Sequence, residues 1–150
     1  MIHLLSRLEA LFPFIGQRAA GEDDFYSACE AEGIEVVYTN VVTDGLCVLY
    51  EGKDYIFLND KLAGWRLRYV MFHELAHCLF HFPSQSNFGV EFFAVHSKHK
   101  NHVEAETVAA LLLLTLEDVE QVLASGAYTI ADEIADLVSV RLQIYSRYQL

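Results

Sequence analysis

The chain has 150 residues, 53% hydrophobic and 13% aromatic, with 8 Gly and 2 Pro. That is enough apolar material for the core of one domain without disulfides, and it excludes disorder over most of the length. With 10 Lys and Arg against 21 Asp and Glu, the net charge of -11 repels a phosphate backbone and excludes direct nucleic-acid binding. Cys29, Cys47 and Cys78 are an odd set with no C-x-x-C pair, neither a disulfide framework nor a zinc knuckle, and they point to a reducing, cytoplasmic compartment.

In chain order, residues 1–16 carry Leu4, Leu5, Leu8, Leu11, Phe12 and Ile15 at helical spacing. Arg7 and Glu9 interrupt the run and no basic stretch precedes it, so it reads as an amphipathic helix packed on the domain rather than a signal peptide. Glu22, Asp23 and Asp24 open a second helix, where negative charge complements the helix dipole, and Gly33 stops it. The periodicity then shortens. Residues 34–39, 46–51 and 54–59 are β-branched and aromatic runs punctuated by Asp44-Gly45 and Gly52-Lys53. They predict a small antiparallel sheet of about three strands, with 54–59 offering an edge to which an extended peptide can add.

Asn59 or Asp60 is placed to cap a helix over about 63–82, which meets no breaker between Gly64 and Pro83. Residues 83–101, with Pro83, Ser84, Ser86, Asn87 and Gly89 and then a basic, histidine-bearing end, predict a loop with irregular pieces. Helices are expected over about 102–114, 116–124 and 130–148. The most apolar run, 108–114, falls far short of the ~20 residues a bilayer crossing needs. Helices gathered on a small sheet argue one α+β domain over 1–150: N-terminal helices to 33, sheet and site helices over 34–115, C-terminal helices over 116–150.

The helix over 63–82 contains His73-Glu74-Leu75-Ala76-His77, an H-E-x-x-H. Histidines four residues apart share one helix face, so both imidazoles reach one ion, and Zn²⁺ favours neutral nitrogen donors. Glu74 projects beside that ion, where it can take a proton from a water that the metal acidifies to a pKa of ~7. Chance produces the pattern in about one chain of this length in a few hundred, so the long helix around it matters. His81 is two turns from His73, ~11 Å, too far to share an ion held at ~2 Å, and reads as a supporting residue. Glu104, at i-4 from Val108 and i-7 from Leu111, lies on the apolar stripe of the next helix, where a buried carboxylate needs a partner. Glu106, roughly 200° further round, is the fallback third ligand.

FHELAHCLFH followed by EAETVAALLL resembles the ImmA/IrrE family of metallopeptidases, whose usual form is H-E-L-G-H with a later histidine, then E-A-N-x-F-A-A-x-L-L. The resemblance covers roughly residues 34–115. It implies a zincin-like fold, one zinc ion on His73, His77 and Glu104, Glu74 as general base, and a protein substrate such as a helix-turn-helix repressor. Ala76 replaces the usual Gly, Glu106 the Asn or Asp, Val108 the Phe, and Thr115-Leu116 the Met-Pro. These departures touch the substrate-side wall and leave the metal set intact.

Plainer roles suit the remaining residues. The three cysteines read as core, and His96, His99 and His102 with Lys98 and Lys100 as a solvated basic loop, with one of these histidines or Tyr69 available to stabilise an oxyanion. Trp65, Arg66 and Arg68 cap the sheet and pair with the acidic surface. The rival to an enzyme is a non-catalytic regulatory binding protein with a structural or vestigial zinc site. An intact Glu74 favours the enzyme, because a structural site needs no carboxylate beside its metal.

Overall fold

The computed structural model describes residues 1–81, 90–93, 99–125 and 132–150. Its elements are α1 (Ile2–Leu11), α2 (Glu22–Glu32), β1 (Glu35–Thr39), β2 (Gly45–Tyr50), β3 (Lys53–Asn59), α3 (Gly64–Phe80), β4 (Val90–Phe93), α4 (His99–Leu113), α5 (Leu116–Ser125) and α6 (Asp132–Tyr148). The α+β class read from the sequence holds. Backbone proximity groups the chain into two compact units, residues 21–105 and residues 1–20 with 106–150.

The first unit is built on a four-stranded sheet in the order β1-β3-β2-β4. The β2–β3 hairpin closes through Glu51 and Gly52, both at positive φ (48° and 75°), the two-residue turn whose twist matches that of paired strands. The sheet is mixed rather than purely antiparallel, because β1 pairs parallel with β3. The cause lies in residues 40–44, which cross the end of β3 and are tied there by Asn59. Its backbone N–H donates to the Asp44 carbonyl at 2.9 Å, and its side-chain amide donates to the carbonyls of Val41 (3.0 Å) and Thr43 (3.3 Å). Asn59 is thus a clamp on that connection and not a helix cap; the N-cap of α3 is Ala63, with no side-chain bond.

Two further expectations change with this topology. β3 is flanked on both sides, so residues 54–59 offer no free edge, and the outer strands are β1 and β4. β4 itself falls inside the stretch read as loop. The edge of β2 left open by β1's move to β3 takes up Val90–Phe93 in antiparallel register, Cys47 opposite Phe93 and Tyr50 opposite Val90. Four residues are too few for alternation to show in a sequence.

α3 packs on the sheet face that carries Cys47, Ile56 and Leu58, all with no exposed surface. Met71, Phe72 and Leu75 fill the space between, and Phe72 meets Phe25 of α2 edge-on at 5.9 Å. Gly33, at φ 68°, ends α2 as the sequence predicts and lets the Ile34 N–H reach back to the Cys29 carbonyl at 2.8 Å.

In the second unit, Leu8, Phe12 and Ala20 of the N-terminal segment are fully buried. Ala20 N–H donates to the Leu112 carbonyl at 2.7 Å and Leu116 N–H to the Gly16 carbonyl at 3.1 Å. Thr115 and Asp118 form a reciprocal cap on α5: the Asp118 N–H donates to the Thr115 hydroxyl at 3.1 Å, and the Thr115 N–H to the Asp118 carboxylate at 2.8 Å. Arg141 is buried, 1% exposed, and donates to the carbonyls of Leu114 and Leu150. No helix among the described residues is long and apolar enough to cross a membrane.

Candidate metal centre

The site grows from the middle of α3, which runs unbroken for 17 residues and buries every residue from Val70 to Leu79. One turn separates His73 from His77, and their Nε2 atoms lie 3.3 Å apart. Donors at 2.0–2.1 Å from a tetrahedral ion are separated by about 3.3 Å, so two bare Nε2 atoms at this spacing already have the edge of a zinc coordination shell. The first turns of α4 bring in His102, whose ring centroid is 4.9 Å from that of His73. One donor atom from each of His73, His77 and His102 lies within 4.8 Å of the others.

Their chemistry suits a cation. Burial, reinforced by the neighbouring imidazoles, pushes His73 down to about 3 and His77 down to about 4, so both rings are neutral at pH 7, the form in which an imidazole ligates a metal. The Nδ1 of His73 is buried and has no hydrogen-bond partner among the described residues. A divalent ion supplies the charge that a cluster of desolvated donors lacks.

The Glu74 side chain lies against the start of β2. Burial raises its carboxyl to about 7, partly opposed by hydrogen bonds from the Cys47 backbone and thiol. Room for it exists because residue 45 is Gly: a Cβ there would sit 2.9 Å from Glu74 Cγ. Cys47, Cys29 and Cys78 are free and buried, as the sequence suggests, with Cys47 hydrogen-bonded to Cys78 and Glu74. Tyr69, one turn before His73, brings its ring centroid to 5.5 Å from that of the histidine. Arg66 bonds Asp44, joining the start of α3 to the loop before β2, in the surface-pairing role expected of it.

Of the residues picked from the sequence, His73 and His77 come together and Glu74 lies beside them on the same helix. Glu104 is placed differently: its Oε2 lies 3.1 Å from His81 Nε2, outside the three-histidine group, and its side chain is 37% exposed. Glu106 is half-buried and is not one of the three. The stripe reasoning loses force because α4 is buried on every side from Thr107 onward. The sequence suggests a solvated basic loop for His102. Because α4 begins at His99, His102 instead sits inside a helix two residues before Glu104, and the signal in the sequence that points to it is a histidine just ahead of the apolar run. His96 lies outside the described residues.

A family model described as the IrrE N-terminal-like domain, of the M78 peptidases, matches residues 29–147. The chain belongs to this peptidase family. The IrrE-like match spans from α2 into α6, so it takes in the C-terminal helices on which the motif resemblance was silent. No curated protein and no solved structure matches the chain.

Proposed function

We propose that this IrrE-like domain is a zinc-dependent endopeptidase of a reducing, cytoplasmic compartment, and that its substrate is a basic DNA-binding protein of the helix-turn-helix repressor class. The observation that carries the reading is the convergence of three histidine donors around the H-E-x-x-H turn of α3. His73, His77 and His102 would hold the ion in this arrangement. The family motif supports a second reading, in which Glu104 replaces His102 as third donor. A zinc ion bound there would polarise the scissile carbonyl and acidify a water. Glu74, with a carboxyl near neutrality, is suited to take a proton at Oε and return it to the leaving amine. Cys47 and the space at Gly45 hold that carboxylate in place. The net charge of -11 favours encounter with a basic substrate. An extended peptide would add to β1 or β4, the outer strands of the sheet among the described residues.

The test is co-incubation of the zinc-loaded protein with a helix-turn-helix protein, read for cleavage that a chelator stops and added zinc restores. Glu74→Gln should abolish cleavage and spare zinc binding; retained activity would remove Glu74 from the chemistry. Capture of the repressor without cleavage, together with a fourth protein ligand on the metal, would establish the regulatory-binder alternative. X-ray absorption of the loaded protein separates three imidazole donors from two imidazoles and a carboxylate.

A further inference from the structure

We propose that the face of the sheet turned away from α3 is a docking groove for an amphipathic helix of a partner protein, apolar along one stripe and rich in Lys and Arg beside it. This surface lies beyond the peptidase reading and holds with or without a metal ion. In β2 and β3, Cys47, Ile56 and Leu58 face α3, so alternation puts Leu46, Val48, Tyr50, Tyr55 and Phe57 on the opposite face. Leu46 stands opposite Phe57 and Val48 opposite Tyr55, and the Tyr55 and Phe57 rings stack at 6.4 Å. With Val41 at the end of the sheet, these side chains line a groove of about 580 Å³, inside the range of about 300–1,000 Å³ typical of ligand sites. α2 packs on the α3 side too, since its Tyr26 hydroxyl meets that of Tyr38, which pairs with Leu58. A sheet that is apolar on both faces is built to be covered on both.

The size of this face selects the occupant. Three strands about 4.8 Å apart, with five to seven residues at about 3.3 Å each, make a surface of about 14 by 20 Å. That is roughly 300 Å², against about 800 Å² per partner in a stable protein interface, too little to hold a second copy of the chain. One helix, about 10 Å across and rising about 1.5 Å per residue, covers it with about 14 residues. An extended peptide lying flat here would leave its own N–H and C=O groups unpaired, because those of β2 and β3 are already bonded to each other, whereas a helix satisfies its own. The surroundings select the charge. Residues 34–62 carry five Asp and Glu against two Lys, and one of these, Lys53, is already held by Glu35 at 2.6 Å. Glu51 at the hairpin and Asp60 just past β3 are exposed at the two ends of that strand. Such a rim attracts a cationic helix and repels a fatty-acid carboxylate or an anionic lipid surface. Tyr50, 46% exposed, stands ready as the kind of aromatic anchor in which interfaces are enriched.

The probe is a fluorescent helical peptide of about 15 residues with Leu at i, i+3, i+4 and i+7 spacing and Lys elsewhere. It is titrated into the whole chain by polarisation, with chelator present so that no peptidase activity consumes it, and ¹⁵N NMR reports which backbone amides respond. The Lys peptide should bind, more weakly as salt is raised, and the shifted amides should cluster on β2 and β3. A version with Glu for Lys, and an isomer with its Leu residues spread round the helix, should each bind at least about tenfold less tightly. Phe57→Ala should weaken binding about tenfold or more, and Tyr50→Ala about threefold or more, each variant being shown to be folded by circular dichroism. Tyr50 is exposed, so Tyr50→Ala and the NMR map still decide the matter if Phe57→Ala does not fold. No binding of the Lys peptide at about 1 mM, equal binding of the rearranged isomer, or shifts confined to other elements would overturn the proposal. So would sedimentation showing a wild-type dimer that Phe57→Ala dissociates, which gives the face to a second copy. Failure to bind zinc or to cleave a protein would remove the peptidase reading and leave this groove standing.

Discussion

Replacing Gly45 by Ala tests how tightly β2 and α3 are fitted around Glu74. Gly45 has no positive φ to forbid a side chain, so any effect comes from space alone. A Cβ built there stands 2.4 Å from Val70 Cγ1, 2.9 Å from Glu74 Cγ and 3.3 Å from Glu74 Oε1. Carbon atoms prefer about 3.5–4.0 Å, so Val70 must give by roughly an ångström. It has little freedom, being 4% exposed between helix and sheet. Overpacking of this kind costs about 1–3 kcal/mol, and Gly45→Ala should lose that much in urea unfolding with an unchanged m-value. Val70→Ala removes the nearest clash while costing about 1.6 kcal/mol for two buried carbons. The double variant should therefore be more stable than the two losses added, by about 1 kcal/mol or more. Cleavage activity should stay low in the double variant, since the crowding of Glu74 remains. A Gly45→Ala protein within about 0.5 kcal/mol of wild type, or strictly additive losses, would refute the close fit.

Other consequences can be measured on the metal-free protein. Because burial raises the Glu74 carboxyl from 4.5 to about 7, the folded state holds that proton more tightly than the unfolded state. Its stabilisation is complete below pH 4.5 and is lost as pH rises through 7, so Glu74→Gln should gain on wild type across that window by on the order of 3 kcal/mol. A pH-independent difference in urea midpoints would contradict this. His73 and His77 act in the opposite sense: held down from 6.5 to about 3 and 4, they stabilise fully above pH 6.5, and their contribution disappears as pH falls through those values. Acid unfolding of the metal-free protein should accordingly take up protons, measured by calorimetry in buffers of different ionisation heat. Arg141→Met should cost about 2–5 kcal/mol in urea unfolding, because it strands the Leu114 and Leu150 carbonyls. Thr115→Ala should cost about 1 kcal/mol through the α5 cap, read from the thermal midpoint.

Much of the site is legible in the sequence because a helix converts spacing directly into geometry. His73, Glu74 and His77 needed only an unbroken run from Gly64 to Pro83 to be placed on one turn, and His81 needed only the 1.5 Å rise to be set two turns beyond His73. The helices were local in the same way, and so was the β2–β3 hairpin, though its turn is Glu51-Gly52 rather than the Gly52-Lys53 that the sequence suggests. The third donor was not. Choosing between Glu104, Glu106 and His102 requires the position of α4 against α3, and the apolar pattern of α4 is no guide where the helix is buried all round.

The sequence by itself thus determined the α+β class, the family, the two-histidine turn with its adjacent carboxylate, and an acid excess of -11. Tertiary structure alone decided that β1 lies parallel to β3, that β4 joins β2, that His102 meets His73 and that Glu104 meets His81. The physical reason is the range of the interactions. Backbone hydrogen bonds within a helix and two-residue turns are fixed by neighbours in sequence. Strand order and contacts between helices depend on connections such as residues 40–44, whose path Asn59 sets through hydrogen bonds to Val41 and Thr43, 18 and 16 residues away.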